Sequence, residues 1–250
     1  MSENFVNAVI WLVFIFLCTM LGAAFTYIFP RRVMEKVNIL LSGFAVGVML
    51  AASVWSLIIP SIEGSAFTGA ARVTETLIGL ALGGIFMIAL AKFIPDENDG
   101  SVQSFSRLFI AVTMHNIPEG LAVGFAFGAV ASRSITLASA IAVAFGIGIQ
   151  NVPEGAAVSF AARGISGKNK SFLFGMFSGA VEPIAGIIGF IFSGFIASLL
   201  PYTMSFAAGA MIFASITELL PDALKSSKIK TVVGVLLGFM LMMSLDVIFG

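Results

Sequence analysis

Apolar residues run along this chain in long blocks, each closed by a short polar or charged stretch. A helix crosses a bilayer with about 20 mostly apolar residues, and eight blocks reach that length: roughly 7–29, 36–60, 74–94, 105–130, 134–161, 171–198, 202–221 and 230–249. The pattern predicts an all-α polytopic membrane protein with eight transmembrane helices, a single transmembrane domain over residues 1–250 that leaves no room for a soluble domain. The first block is too long for the core of a signal peptide, and residues 1–8 carry Glu3 in place of the usual basic residues. It is expected to be a retained first span.

Composition agrees with that pattern and narrows the function. Hydrophobic residues make up 59% of the chain against 10% charged, with a mean hydropathy of +1.07. The formal net charge is zero, and no basic tail or basic-aromatic patch offers itself to nucleic acid. The single Cys18 cannot form an intrachain disulfide and reads as a small packing residue. Lys and Arg set the orientation. With both termini outside, the inner loops and flanks hold Arg31, Arg32, Lys36, Lys92, Arg107, Arg163, Lys168, Lys170, Lys225, Lys228 and Lys230, leaving only Arg72 and Arg133 outside. The acidic run PDENDG (95–100) between spans three and four reads as a solvated loop.

The informative residues are the polar ones inside the blocks. Glu119, Glu154, Glu182, Glu218 and Asp246 fall within spans, and no Lys or Arg lies near the middle of a span to neutralise them. An ionisable group in hydrocarbon is costly and marks a functional site whose partner must be named. Either these acids are protonated, or a cation that is not part of the chain sits among them. HNIPEG (115–120) and QNVPEG (150–155) repeat one motif in consecutive spans. Helical spacing puts His115 and Glu119 on one face with Asn116 beside them, and Gln150 and Glu154 on another with Asn151 adjacent. Consecutive spans are antiparallel, so the motifs can meet around a local two-fold axis, where two carboxylates neutralise one divalent ion.

Pro118 and Pro153 lack an N–H, so the carbonyls of Met114 and Ile149 lose their usual helical partners. Broken helices with freed carbonyls at mid-depth are a device of transporter binding sites. The competing reading makes the prolines simple kinks and the polar groups packing glue. Glu182, in VEPIAG (181–186), could complete a second cation position with Asn116, Asn151 and the two motif glutamates, or sit as a protonated core residue. Spans two and seven also echo each other: FAVGVMLAAS (44–53) and FAAGAMIFAS (206–215) share Phe, Ala, Gly, Met, Ala and Ser in register. Five connections separate them, so they run in opposite directions, the signature of an inverted repeat. Met49 offers a soft sulfur from span two, though a core methionine is the ordinary reading.

The two motifs in an eight-span chain with both ends outside resemble the ZIP (Zrt/Irt-like) divalent-metal transporters, and Gln150 points to the GufA-like bacterial branch. The resemblance implies spans arranged as three, two and three, with spans 1–3 and 6–8 as the inverted repeat. It implies a primary metal position on His115, Glu119, Gln150, Glu154 and Met49, and a second on Asn116, Glu119, Asn151, Glu154 and Glu182. Members of that branch often carry Asp where this chain has Asn151, so the second position here has one formal charge fewer. Ser56, Glu63 and Asp246 would line the outer entrance and Glu218 the inner exit. The resemblance further implies a bacterial inner-membrane protein, a homodimer, and an elevator-like movement of spans one, four, five and six against the other four.

The implied activity is transport of a divalent transition metal into the cytoplasm, with metal as substrate and no catalytic cofactor. Imidazole, carboxylate, amide and thioether donors suit Zn²⁺, with Cd²⁺, Fe²⁺, Co²⁺ and Mn²⁺ as further cargoes. No G-x-x-x-x-G-K-[ST] pattern occurs that would supply ATP drive. Two rivals stand beside this reading. An organic-cation carrier would cage its cargo in aromatic rings, which 25 phenylalanines could supply. An integral-membrane metalloenzyme would need an open coordination position and a nearby base, and HExxH is absent.

Overall fold

The computed structural model describes residues 3–92, 101–131, 133, 135–195 and 200–249. The acidic run 95–100 lies outside the described residues, as do the side chains of Arg31, Arg32, Lys36, Arg107, Glu218 and Lys225. All regular structure among the described residues is helical: α1 (Glu3–Ile28), α2 (Arg31–Ala52), a π-helical segment π1 (Ser53–Ile58), α3 (Ile59–Glu63), α4 (Gly69–Ala91), α5 (Ser101–Ala131), α6 (Leu137–Ala162), α7 (Lys168–Gly179), α8 (Val181–Phe195), α9 (Leu200–Ala214), a second π segment π2 (Ser215–Leu219), α10 (Leu220–Ser226) and α11 (Lys228–Phe249).

Among the described residues, seven helices are long and apolar enough to cross a membrane: Glu3–Ile28, Ile39–Glu63, Gly69–Ala91, Leu108–Ala131, Leu137–Ala162, Lys168–Ser193 and Lys228–Ile248. The protein is therefore a multi-pass helical membrane protein. The remaining sequence-predicted span, 202–221, falls on α9, π2 and α10, which follow one another without a gap but are not one α-helix. The α ladder of α9 stops at Ala214 after 15 residues and widens into π2. The sixth predicted span is also divided, by a turn at Ala180 between α7 and α8.

Local chemistry explains several boundaries. Thr136 caps α6 by accepting from the backbone N–H of Ser139 at 3.1 Å, a partner for one of the donors a helix start leaves open. Pro60 and Pro221 stand in the first turns of α3 and α10, where each withholds an N–H from the π segment that runs into it. Gly69 opens α4 at a φ of 60°, a conformation that a side chain disfavours. The two π segments begin alike. Ser53 donates to the Met49 carbonyl at 2.7 Å and Ser215 to the Met211 carbonyl at 2.8 Å, so each hydroxyl engages the helical ladder where it widens. The motif prolines act differently from the sequence expectation: α5 and α6 run unbroken through Pro118 and Pro153. A single missing N–H is tolerated there because both helices are held in the buried centre of the bundle.

Four helix pairs make the most extensive contacts, α2 with α11, α4 with α9, α5 with α8 and α1 with α6. Each is joined by glycines facing backbone. A Cβ built on Gly47 would stand 2.1 Å from the Val235 carbonyl oxygen, and one on Gly209 2.2 Å from that of Leu80. The equivalent distances are 2.3 Å from Gly120 to Glu182 and 2.1 Å from Gly155 to Thr19. Small residues let membrane helices approach this closely. The pairs exchange when the chain's halves are swapped: α2 on α11 corresponds to α9 on α4, and α5 on α8 to α6 on α1.

The principal apolar core includes Leu12, Ile15, Met49, Leu57, Phe127, Ile147, Met204, Met211 and Met242. Large apolar side chains on α1, α4, α8 and α11 are exposed, among them Leu17, Leu82, Phe192 and Leu236. In a bilayer they meet lipid.

Candidate metal site

Both motifs lie near the middle of their helices and at the centre of the bundle. His115, Asn116, Glu119, Gln150, Asn151, Glu154 and Glu182 are all buried. Gln150 Nε2 donates to Glu119 Oε1 at 2.5 Å, joining the motifs across the α5–α6 interface. Asn116 Nδ2 donates to the Ser178 carbonyl of α7 at 2.8 Å. Its counterpart, Asn151 Nδ2, donates to the Ile15 carbonyl of α1 at 3.2 Å and to Glu182 Oε2 at 2.8 Å. Only the NH₂ end of an amide can meet a carbonyl this way, so each asparagine is turned with its oxygen left over.

Those leftover oxygens are the main feature of the site. Eight buried side-chain oxygens of the described residues have no hydrogen-bond partner, and six belong to the motifs: Asn116 Oδ1, Glu119 Oε2, Gln150 Oε1, Asn151 Oδ1 and both oxygens of Glu154. Buried acceptors are normally satisfied, and leaving one open costs on the order of 1–3 kcal/mol. Six open acceptors from two adjacent helices have the chemistry of a cation site. Glu119 is also within electrostatic reach of Glu154 and Glu182, a clustering that a cation would relieve.

His115 and Met49 approach from the neighbouring elements. The Nδ1 of His115 lies 2.5 Å from the Ala111 carbonyl, one turn back on α5, and Nε2 lies 3.3 Å from the Ala214 carbonyl at the end of α9. Both ring nitrogens therefore face backbone carbonyls, and a neutral imidazole has one proton to give to one of them. Met49 Sδ lies 3.5 Å from Ser215 Oγ. His115 and Met49 thus both reach the Ala214–Ser215 junction where α9 becomes π2. Among the described residues no group of three or more His, Cys, Asp or Glu side chains is placed to hold a metal ion by itself. The candidate ligands include amide and thioether donors, and His115 is engaged with carbonyls.

The candidate pathway residues separate into different surroundings. Ser56, in π1, donates to Asp246 Oδ1 of α11 at 2.6 Å, and Asp246 Oδ2 is left without a partner. Asp246 is only 8% exposed, so it does not snorkel to the surface. Glu63 is exposed at the end of α3. Glu218 belongs to π2, and its side chain lies outside the described residues.

Four groups were not singled out from the sequence. Thr19 of α1 donates to Glu182 Oε1 at 3.1 Å. The Ile15 and Ser178 carbonyls orient the two asparagines, and backbone acceptors leave no mark in a sequence. Thr19 did leave one: with Cys18 it breaks the otherwise apolar run from Ala8 to Phe25. Glu75, at the edge of the third predicted span, is buried and accepts from Ser65.

These features define a multi-pass integral membrane protein whose polar residues are gathered at its interior. Its sequence matches the ZIP Zinc transporter family over residues 104–246, a stretch that holds both motifs, Glu182, π2 and Asp246. Human Zinc transporter ZIP11 is 31% identical, with 92% of this chain and 93% of that protein aligned. Zinc transporter GufA of Myxococcus xanthus is 34% identical over 78% of this chain and 81% of its own. Zinc transporter ZIPB of Bordetella bronchiseptica is 34% identical over 94% and 79%. The chain belongs to the ZIP zinc transporter family, a family of transporters and not of enzymes.

Proposed function

We propose that the protein carries a divalent transition metal, Zn²⁺ first, across a bacterial inner membrane into the cytoplasm. The observation that carries this reading is the set of six unpartnered oxygens on Asn116, Glu119, Gln150, Asn151 and Glu154. Glu119, Glu154, Gln150 and His115, with Met49, form the primary position. Asn116, Asn151 and Glu182 form a second beside it that shares the two motif glutamates. Ser56, Glu63 and Asp246 line the outer approach and Glu218 the inner exit. Cd²⁺, Fe²⁺, Co²⁺ and Mn²⁺ are further cargoes, since ligand type alone does not separate them.

We take α9, π2 and α10 together as an eighth span, so that both termini face outside and the Lys and Arg bias points inward. The spans then group as three, two and three. The exchange of helix pairs between the chain's halves supports this grouping. An elevator-like movement of α1, α5, α6, α7 and α8 against the remaining helices has its own support. Among the described residues, the glycine contacts to another helix's backbone at under 3.0 Å stay within one group or the other. Gly146 faces across the groups, and it meets the flexible side chain of Met242. The partners are the metal ion, surrounding lipid and a second copy of the chain.

The test is ⁶⁵Zn²⁺ uptake into proteoliposomes of the purified protein, with Cd²⁺, Mn²⁺ and Fe²⁺ as competitors. Uptake that exceeds protein-free vesicles and is suppressed by these ions is expected. Absence of uptake for every metal, or suppression by quaternary ammonium ions instead, overturns the reading. The pH dependence has a definite sign. Imidazole and carboxylate ligands bind metal only when deprotonated, so lowering the outside pH from about 7.5 to about 5.5, across the ordinary range of histidine, is expected to reduce uptake. Initial rates unchanged over that interval would contradict the assigned ligands.

A further inference from the structure

Far from the polar centre, the end of the bundle that the proposed orientation turns inward carries an arrangement the metal carrier does not use. Residues 165–170 join α6 to α7 and line an open cavity of about 590 Å³. Lys168, Asn169 and Lys170 are exposed on its wall, and Arg163 closes α6 just before it. Hydrogen bonds hold this wall in shape. Ser166 Oγ donates to the Ala162 carbonyl at 2.9 Å and Ser171 Oγ to that of Gly167 at 3.0 Å. Tyr27, at the end of α1, donates its hydroxyl to Asn169 Oδ1 at 3.2 Å. Lys168 Nζ reaches the Tyr27 carbonyl at 3.4 Å, which spends one of its three N–H donors. The connected segments bring no counter-charge: the chain has no acid between Glu3 and Glu35 or between Glu154 and Glu182, and the last two are buried at the centre. Apolar surface continues from the cavity along α7. Leu173 and Phe177 follow Asn169 at intervals of four, so the three share a face, and the two apolar side chains are 42% and 54% exposed. The Tyr27 ring lies 5.6 Å from that of Phe172, and Ile28 and Phe29 are exposed beside it. Tyrosine gathers at the depth of lipid headgroups, where one end of its side chain is apolar and the other wet.

We propose that this cavity is a headgroup site for an anionic phospholipid, with Lys168 and Lys170 on the phosphate, Arg163 adding charge behind them, and an acyl chain lying along Leu173 and Phe177. Charge complementarity selects an anion. The exposed apolar face that leads away from the lysines selects an amphiphile over a free anion, because soluble phosphate would use the lysines and gain nothing from Leu173 and Phe177. A bias of Lys and Arg toward the inner side accounts for basic residues in this connection. It does not account for a hydrogen-bonded cavity with a lipid-facing stripe running from it. In the proposed orientation the lipid belongs to the cytoplasmic leaflet, where anionic headgroups attract juxtamembrane lysines. Such a site needs only that the chain span a bilayer, whatever its cargo.

The experiment is native mass spectrometry of the purified protein in detergent, titrated with phosphatidylglycerol or with phosphatidylcholine of the same acyl chains. Wild type is expected to prefer phosphatidylglycerol by on the order of 10-fold, given what lysines contribute near an anionic surface. Lys168→Gln combined with Lys170→Gln is expected to abolish that preference, and Lys168→Arg combined with Lys170→Arg to keep it. Lys228→Gln combined with Lys230→Gln removes the same charge from another exposed segment and is expected to leave the preference unchanged. All of these side chains are exposed, so the substitutions spare the core. A large excess of inorganic phosphate is expected not to displace the lipid. Equal retention of the two lipids by wild type overturns the inference. So does a preference that survives the glutamine pair at 168 and 170, or one that falls as far with the pair at 228 and 230. Displacement by inorganic phosphate overturns it as well, by making the occupant a soluble anion. None of these outcomes involves zinc, so the uptake assay tests the metal-carrier reading separately.

Discussion

Proteoliposomes carrying Glu154→Ala are expected to accumulate ⁶⁵Zn²⁺ no faster than protein-free vesicles, and those carrying Glu119→Ala likewise. Glu154 has two buried oxygens and a protein partner for neither, so nothing in the fold needs its carboxylate. Removing it takes away charge and acceptors without leaving a donor stranded. Residues that merely orient a metal ligand commonly contribute 10- to 100-fold in affinity or activity. Loss of the ligand itself is expected to exceed about 100-fold. Glu119 carries a second consequence: its Oε1 accepts from Gln150, so Glu119→Ala also releases the amide that joins the motifs. The measurement is the initial rate in both variants, with insertion and thermal stability checked in parallel. Uptake that persists in both well-folded variants would sink the shared-site mechanism.

The second large effect concerns stability. Gly155→Val places a Cβ 2.1 Å from the Thr19 carbonyl oxygen and 2.9 Å from its carbon, with Ala23 N at 3.2 Å. All three are backbone atoms of α1, so no side chain can rotate out of the way. Overpacking a core commonly costs about 1–3 kcal/mol and sometimes more; this site belongs at the upper end. For a chain of this size about 3 kcal/mol corresponds to a fall in Tm on the order of 10 °C. Gly84→Val is the control, because a Cβ there meets nothing within 4 Å. Its Tm is expected to stay within about 2 °C of wild type, as for most surface changes. Equal shifts in the two variants would show that the α1–α6 contact is not a special constraint.

Most of the architecture was legible in the run lengths of apolar residues, because in a bilayer the helix is obligatory and its length is set by the hydrocarbon thickness. What was not legible depended on single turns. An apolar block from 202 to 221 reads the same whether its ladder stays α or widens at Ser215. The turn at Ala180 likewise sits in an unbroken apolar context. The candidate site divides along the same line. His115, Glu119, Gln150 and Glu154 stood out because polar residues in apolar blocks are conspicuous, and helical spacing placed them together. Which atoms of Asn116 and Asn151 are spent depends on the carbonyls of Ser178 and Ile15, which belong to other helices. Thr19 was passed over because one hydroxyl in span one is ordinary until Glu182 is found facing it. Asp246 is buried beside Ser56, a pairing across 190 residues that no local spacing shows.

The wide turns also bear on how far this sequence can vary. From Phe44 to Pro60 the chain is one residue longer than from Phe206 to Pro221, and π1 has six residues where π2 has five. In an α-helix one added residue turns everything beyond it by about 100°. Here that would carry Ser61 off the face where it meets Thr76 and the Pro201 carbonyl. A π turn absorbs the surplus as local girth instead. Insertions and deletions are therefore expected to be tolerated in these two short windows before they are tolerated elsewhere in the spans, making them the points of indel latitude in an otherwise length-locked bundle.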